Sequence, residues 1–202
     1  MPVSSYGRGN GAWNVVTGSL TQDSVVVSVG VGHDISFDLG IVEKYGCRVL
    51  LFDPSPTGKA TIERHQPLPT PMLFYPIGLA SRDGCIAFAD PSHPDEGSFR
   101  LPSAKDQPDG PSFPCCRLET IMNEQKLDRI DLLKIDIEGF EYGVLDDLLA
   151  AHLNVRQICV EFHHRVVPGI SRWRSLLSII KLRQAGYHLV NHDGLNHTLF
   201  RI

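Results

Sequence analysis

Residues 24–32 read SVVVSVGVG, and this stretch decides the fold class. The run from Ser24 to Val29 is β-branched and almost uninterrupted, which is typical of a strand buried on both faces of a parallel sheet. The turn 30–32 ends this strand, and apolar residues follow at helical spacing at Ile35, Leu39 and Val42. The stretch therefore predicts a strand, a glycine turn and a helix at the start of an α/β sheet.

The rest of the chain repeats this alternation of short apolar runs and longer amphipathic stretches. Residues 57–65, 118–125, 142–149 and 173–182 are predicted as helices, and 49–52, 73–77, 130–137 and 155–162 as further strands. Two short strands, 187–190 and 198–202, flank the hairpin signal Asp193-Gly194. The predicted fold is α/β, with a mostly parallel seven-stranded sheet that ends in a C-terminal antiparallel hairpin.

One domain is predicted to span residues 1–202, with a Gly- and Ser-rich N-terminal extension at 1–23. A small extra strand is expected at 85–89. The stretch 90–114 contains six prolines, which we expect to prevent regular structure there. Long irregular loops in compact domains are often functional, so 90–114 is a candidate lid over an acceptor substrate.

Composition narrows the classes of function. The 202 residues are 42% hydrophobic and 21% charged with a net charge of −4, which argues against nucleic-acid binding. No secretory signal or membrane-spanning run is apparent, and we expect no membrane partner. Five cysteines without a Cys-x-x-Cys pair indicate reduced thiols, as expected of a cytoplasmic protein.

The first candidate site is a nucleoside pocket. Gly30 and Gly32 allow a ligand to approach the backbone closely, and Asp53, 21 residues beyond Gly32, ends the second strand. A carboxylate there accepts hydrogen bonds from ribose hydroxyls, in NAD-binding domains as well. A dinucleotide fingerprint needs Gly or Ala where this chain has Ile35, and the terminal hairpin is typical of class I methyltransferases. Alternatively, the glycines only form a tight turn and Asp53 caps the helix that begins near Pro54.

The second candidate site combines polar side chains at the ends of two other strands. Asp136 and Glu138 end one strand, and Glu161, His163 and His164 end the next. Parallel neighbours bring such ends together, and a carboxylate or imidazole there can remove a proton from a hydroxyl group. Asp136, Glu161 and His163 also have the right chemistry to bind a divalent cation such as Mg²⁺. Alternatively, Glu138 and Glu141 favour a helix N-terminus, the two histidines are bonded loop residues, and Lys134 pairs with a neighbouring acid.

Three segments of the sequence resemble a known family. Residues 132–142 read LLKIDIEGFEY, and together with Arg117-Leu118-Glu119-Thr120-Ile121 and Val160-Glu161-Phe162-His163 they are similar to the signature of FkbM-family O-methyltransferases. The resemblance implies a class I, Rossmann-like domain that uses S-adenosylmethionine (SAM) to methylate hydroxyl groups, often on sugars or natural products.

The resemblance also implies roles for individual residues. Gly30 and Gly32 would flank the methionine part of SAM, Asp53 would hold the ribose, Gly78-Leu79 would lie near the adenine, and Asp136 would face the methyl group. The family's first motif begins with an acid, where this chain has Ser28 in Ser28-Val29-Gly30-Val31-Gly32-His33-Asp34. Asp34 is our candidate to replace that acid in contacting the SAM amine.

The sequence thus predicts a SAM-dependent O-methyltransferase that acts on a small-molecule or carbohydrate hydroxyl. Asp136, Glu161 and His163 are its candidate catalytic residues. Two alternatives stay open: an NAD-dependent oxidoreductase, and a non-catalytic SAM-binding or interaction module.

Overall fold

The computed structural model describes residues 1–91, 97–106, 110–164 and 167–202. The first two strands, β1 and β2, form an antiparallel hairpin in the predicted N-terminal extension. In chain order the elements are β1 (Val3–Tyr6), β2 (Trp13–Val16), β3 (Val25–Val29), α1 (Ser36–Tyr45), β4 (Arg48–Phe52), α2 (Pro56–Arg64), β5 (Met72–Tyr75), β6 (Gly78–Leu79), β7 (Gly84–Ala87), β8 (Ser112–Cys116), α3 (Leu118–Glu124), β9 (Ile130–Ile135), α4 (Glu141–Ala150), β10 (Val155–Glu161), α5 (Arg172–Gln184), β11 (Tyr187–Asp193) and β12 (Asn196–Arg201).

The main sheet has seven strands in the order β11-β12-β10-β9-β3-β4-β5. The five strands from β10 to β5 are parallel, and β12 joins β10 in antiparallel fashion before pairing with β11. This confirms the predicted mostly parallel sheet with its C-terminal hairpin. The strand order reverses between β3 and β9, so the carboxyl ends of these strands open a crevice of the kind that binds ligands in α/β sheets.

Two apolar cores cover the two faces of this sheet. Val27 of β3 belongs to the core that includes α3 and α4, whereas the neighbouring Val26 belongs to the core formed with α1 and the N-terminal hairpin. Both valines are fully buried, as predicted for a central strand. The hairpin's Trp13 and Val15 are also buried, so residues 1–23 contribute to the core.

The expectation of irregular structure throughout 90–114 is wrong at the end of the stretch. β8 begins at Ser112 and is the middle strand of a small sheet with the order β6-β8-β7. Pro114 is tolerated because β6 pairs only with Cys115 and Cys116, so no ladder bond is required of the proline nitrogen on that side. Pro94 and Pro108 lie outside the described residues, and Ala89 forms a bridge with Arg100.

Helix α5 is unusual because its most apolar side points outward. Trp173, Leu176, Leu177 and Ile180 are exposed, and the buried side chains of α5 are Ser175, Ser178 and Leu182. Among the described residues, no helix is both long and apolar enough to cross a bilayer.

Candidate cofactor and methyl-transfer site

A cavity of about 400 Å³ opens at the carboxyl ends of β3, β4, β9 and β10. This volume is ordinary for a small-molecule site. Every residue predicted to bind a cofactor, catalyse transfer or hold a metal lines this cavity: Gly30, Gly32, Asp34, Asp53, Gly78, Leu79, Asp136, Glu161 and His163. The two candidate sites of the sequence are therefore one continuous site, as expected for strands that end at the same edge of a sheet.

The glycine turn after β3 combines a tight contact with an open surface. Gly30 has a φ of +84°, and a Cβ there would lie 1.7 Å from the backbone oxygen of Asp136. Gly32 also has a positive φ, of +54°, but no heavy atom lies within 4 Å of the place its Cβ would take. Gly30 therefore allows the ends of β3 and β9 to meet, whereas Gly32 leaves room for a ligand.

Asp53 holds this turn in place. Its Oδ2 accepts hydrogen bonds from the backbone N–H groups of Val31 and Gly32 at 2.9 and 3.0 Å, and its Oδ1 accepts one from Ser55 at 2.8 Å. The alternative interpretation as a helix cap is thus partly right: Asp53 bonds the N-cap residue of α2, although the capping oxygen belongs to Ser55 itself. Oδ2 already accepts two hydrogen bonds, but Oδ1 accepts only one and keeps a second lone pair, so Asp53 can still accept a ligand hydroxyl there.

Asp34 is exposed and its carboxylate is occupied locally. The Oδ1 of Asp34 accepts from the Ser36 backbone N–H at 2.6 Å, and Oδ2 accepts from the Ser36 hydroxyl at 3.1 Å. The backbone of Gly11 packs so closely on Asp34 that a Cβ there would lie 2.3 Å from Oδ2. These contacts fix Asp34 at the start of α1 and leave its proposed ligand role untested.

Another acid, Asp38, lies on the cavity wall one helical turn later. It is 97% buried, and its Oδ1 has no hydrogen-bond partner in the part of the chain that the structure describes. Burial raises the pKa of Asp38 from 3.8 to about 6, although the charge of Lys134 and a hydrogen bond from Ser28 act to lower it. The sequence analysis did not select Asp38, because it follows an apolar residue within a predicted helix and belongs to no motif.

Lys134 connects the glycine turn to the second half of the site. Its Nζ donates to the backbone oxygen of Gly30 at 2.6 Å and lies 3.6 Å from Oδ2 of Asp136. The ammonium also lies 5.3 Å from the ring centre of Trp13, which covers it from the N-terminal hairpin. The predicted pairing of Lys134 with a neighbouring acid agrees with this geometry.

His163 lies at the centre of a cluster of carboxylates. Its Nε2 is 3.5 Å from Asp136 and 3.6 Å from Glu138. The nearest oxygen of Glu161 is 4.0 Å away. One ligand atom from each of Asp136, Glu161 and His163 lies within 4.8 Å of the others, a spacing that allows all three to contact one metal ion.

Glu141 holds the imidazole of His163 in its orientation. It is fully buried at the start of α4, and its Oε1 accepts from the His163 backbone N–H at 2.9 Å and lies 3.3 Å from Nδ1. Its Oε2 accepts from the Gly139 N–H at 2.7 Å. The sequence analysis treated Glu141 only as a favourable charge at a helix start. Its position three residues after Glu138 was the only available signal of a further role.

The cluster shifts the pKa values of its members. Burial raises the pKa of Glu161 to about 7, with help from the charge of Asp136. Burial alone would lower the pKa of His163, but the hydrogen bond and charge of Glu141, with the charges of Glu138 and Asp136, raise it to about 9. At neutral pH, His163 is therefore an imidazolium ion with no free lone pair, and Glu161 is the better proton acceptor.

Four packed aromatic side chains form an aromatic wall of the cavity. Phe88 packs against both Phe113 and Phe140, with ring centres 5.1 and 4.5 Å apart, and Phe99 packs on Phe113 at 5.1 Å. Phe88, Phe99, Phe113 and Phe140 all line the cavity. Phe88, Phe99 and Phe113 lie in or beside the proline-rich stretch, where no periodic pattern marked them as site residues.

The segment 97–101 crosses the cavity from the glycine turn to the carboxylates. A Cβ on Gly97 would lie 2.8 Å from Nε2 of His33, and the N–H of Leu101 donates to the Glu138 backbone oxygen at 2.9 Å. Glu138 itself has a φ of +48°, a conformation that is uncommon outside glycine. His164, in contrast, does not line the cavity, and its Nδ1 is 2.9 Å from the Ser175 hydroxyl.

The comparisons with known proteins concern both sequence and fold. The sequence pattern described as the methyltransferase FkbM domain matches residues 20–189. No curated protein matches the chain in sequence. The fibrillarin pre-rRNA processing protein of Methanococcus jannaschii has a TM-score of 0.50 at 10% identity, with 90% of this chain and 67% of that chain covered.

A fibrillarin/Nop5p complex also gives a TM-score of 0.50, at 14% identity, with 91% of this chain and 75% of that chain covered. M. jannaschii TYW2 in complex with AdoMet covers 100% of this chain and 89% of its own at 9% identity, with a TM-score of 0.43. At these identities the likeness concerns the fold alone, and the two fibrillarin structures identify it as that of class I methyltransferases.

Proposed function

As the chain belongs to the FkbM methyltransferase domain family, we propose that this SAM-dependent methyltransferase transfers the methyl group to the oxygen of a hydroxyl on a small molecule or sugar. The observation that supports oxygen transfer most directly is the cluster of Asp136, Glu161 and His163, whose ligand atoms lie within 4.8 Å of one another in the cavity. A hydroxyl is a poor nucleophile until its proton is removed, and this cluster contains a suitable acceptor.

The residues present fit the adenosyl cofactor. The open space at Gly32 admits a ligand against the backbone, and Oδ1 of Asp53 retains a lone pair for a ribose hydroxyl. Gly78 and Leu79 also line the cavity and would lie against the adenine, and Gly30 and Gly32 would flank the methionine part. Asp136 would face the sulfonium, whose positive charge its carboxylate complements.

When bound, SAM supplies an electrophilic methyl group on its sulfonium sulfur. Glu161 accepts the hydroxyl proton as the oxygen forms its bond to the methyl carbon and the carbon–sulfur bond breaks. The products are a methyl ether, S-adenosylhomocysteine and protonated Glu161. His163 stays protonated and, held by Glu141, keeps the neighbouring carboxylates from repelling one another. The aromatic wall excludes water, and residues 97–99 of the proline-rich stretch, which line the cavity, would lie against the acceptor.

The same cluster supports a second candidate mechanism that uses a divalent cation. Asp136, Glu161 and His163 are mixed oxygen and nitrogen ligands at metal-binding spacing. A Mg²⁺ ion bound there would lower the pKa of an acceptor hydroxyl, and His163 would have to release a proton to join it. Turnover that is lost in EDTA and restored by Mg²⁺ supports this mechanism. Full turnover in EDTA supports Glu161 acting alone.

The proposed transfer is tested with methyl-labelled SAM and a panel of acceptors that carry hydroxyl, amine or carboxyl groups. We expect label in a product that resists mild alkali, because methyl ethers do so and methyl esters do not. Label found only on nitrogen, or only in an alkali-labile ester, would contradict O-methylation. Titration with NAD tests the alternative of an NAD-dependent oxidoreductase, since such an enzyme binds NAD and not SAM.

Glu161→Gln tests the assigned proton acceptor. We expect turnover to fall about 10²- to 10⁴-fold, because the amide cannot accept the hydroxyl proton. Calorimetry should show unchanged binding of S-adenosylhomocysteine, since Glu161 is not assigned to the cofactor. Asp128→Asn, an exposed substitution outside the cavity, is the matched control and should keep full turnover. Full activity of Glu161→Gln would move the proton acceptor to another residue.

A further inference from the structure

Asp38 lines the cavity and has an unsatisfied carboxylate oxygen. The residue is 97% buried, and its Oδ1 has no hydrogen-bond partner among the described residues. Buried polar atoms nearly always have a partner, because leaving one unpaired costs free energy. In the ligand-free chain, the unpaired Oδ1 of Asp38 therefore lowers the stability of the fold, and no contact among the described residues compensates for it.

The surroundings of Asp38 indicate which ligand would remove that cost. Ser28 donates to the Asp38 side chain, Lys134 contributes a positive charge from β9, and Asp34 adds a negative charge from the start of α1. Lys134 is itself engaged by the Gly30 carbonyl and Asp136. What is missing beside Oδ1 is a donor, and a cationic donor compensates a buried carboxylate best.

We propose that the Asp38 carboxylate binds the α-ammonium group of the methionine part of SAM. This inference rests on the proposed function, because it places the amino-acid end of the cofactor between the glycine turn and α1. Trp13, Phe37 and Asp38 line the same cavity as Leu79 and Asp53, the two residues assigned to the nucleoside.

The assignment also accounts for the unusual first motif of this chain. Ser28 is the penultimate residue of β3 and stands where the family's first motif has an acid, and Asp38 places an acid next to it in space by way of helix α1. The serine hydroxyl then orients the displaced carboxylate. Asp34, the other candidate for this role, already accepts two hydrogen bonds from Ser36.

The test compares S-adenosylhomocysteine with its analogue that lacks the α-amino group, using calorimetry on the full chain. Wild-type protein should bind the amine-free analogue about 10- to 100-fold more weakly, the usual contribution of a hydrogen bond between charged groups. Asp38→Asn should bind S-adenosylhomocysteine correspondingly more weakly and should discriminate little between the two ligands. Asp34→Asn should retain the wild-type preference.

Each result decides for or against the inference. Equal affinity of wild-type protein for both ligands overturns it without recourse to any variant, so a folding defect in Asp38→Asn cannot obscure the answer. It is also overturned if Asp38→Asn keeps the preference for the amine, or if Asp34→Asn is the variant that loses it. Wild-type protein that binds neither ligand overturns the proposed function and this inference together.

Discussion

Gly30 and Gly32 lie two residues apart in one turn, but different constraints require them. At Gly30 a side chain would collide with the Asp136 backbone, which cannot move without breaking the junction of β3 and β9. At Gly32 only the positive φ opposes a side chain. The pair therefore separates the structural role of the turn from its role in leaving room for a ligand.

Alanine substitutions at the two positions should show this difference. We expect Gly32→Ala to lower the free energy of unfolding by about 1–2 kcal/mol, the cost of a left-handed conformation for alanine. Gly30→Ala should cost clearly more, on the order of 4 kcal/mol, because a backbone collision is added to the same strain. Urea denaturation measures both, and equal losses would contradict the assigned roles.

Asp38 should make stability depend on pH in the direction opposite to most acids. Its pKa is about 6 in the folded chain against 3.8 ordinarily, so the folded state holds the proton more tightly. The Asp38 contribution to stability is therefore greatest below about pH 4 and is lost as pH rises through 6. Lys134 and Asp34 are the charged groups that act on it, and both are included in this shift.

Asp38→Asn should remove that dependence. At pH 7 we expect the ligand-free variant to be more stable than wild type by up to about 3 kcal/mol, which is the equivalent of a shift of about two pKa units. Denaturation at pH 4.5 and pH 7 provides the measurement. If the variant is less stable than wild type at pH 7, Asp38 stabilises the fold at that pH and the prediction is wrong.

At the scale of elements, helix α5 departs from what its sequence suggests. Trp173, Leu176, Leu177 and Ile180 recur at helical spacing, a pattern that ordinarily marks the face a helix buries. The structure turns this face outward and packs α5 on α4 and β11 through small serines and Leu182. Salt bridges from Arg174 and Lys181 to Asp146 of α4 accompany this orientation.

Two neighbouring positions of α5 test its orientation. Leu177→Gln should change the free energy of unfolding by less than about 0.5 kcal/mol, because the side chain is exposed. Ser178→Leu should cost about 1–3 kcal/mol, since the serine is buried and the larger leucine side chain has to be fitted into packed surroundings. The reverse order of the two effects, measured by thermal unfolding, would mean that the apolar face of α5 is the buried one.

At the scale of the whole molecule, the cofactor site joins parts that are distant in sequence. The cavity is lined by residues from Asn10 in the N-terminal hairpin to His163 after β10. A ligand that binds there would contact residues on both sides of the point where the strand order reverses, between β3 and β9. Binding should therefore stabilise the folded chain as a unit.

S-adenosylhomocysteine at 100 times its dissociation constant should stabilise the fold by about 2.7 kcal/mol. For a chain of this length that corresponds to a rise in Tm of roughly 5–10 °C. Adenosine alone should raise Tm less, because it lacks the amino-acid part. Differential scanning fluorimetry across a range of ligand concentrations makes the comparison, and a Tm that does not change would argue against the site.

The order of the elements that form the main sheet, its parallel pairing and the terminal hairpin were predictable because each depends on local pattern. The N-terminal hairpin and the strands β6 and β8 were not predicted. A buried strand reads as an apolar run, and a glycine pair or an Asp-Gly step marks its turn. The positions of Asp53, Asp136 and Glu161 were predictable for the same reason, since Asp53 and Asp136 directly follow a strand and Glu161 is the last residue of one. Their shared edge of the sheet follows from parallel pairing, so the outline of the candidate site did not require the structure.

Tertiary packing alone decided the contacts that give those residues their chemistry. Three features depend on which elements pack together. They are the burial of Asp38 beside Ser28, the hydrogen bond between Glu141 and His163, and the outward orientation of the apolar face of α5. The aromatic wall likewise forms only when residues around 88, 99, 113 and 140 meet. Sequence patterns report the period of a single element, whereas desolvation and charge pairing act across space between elements that are far apart along the chain.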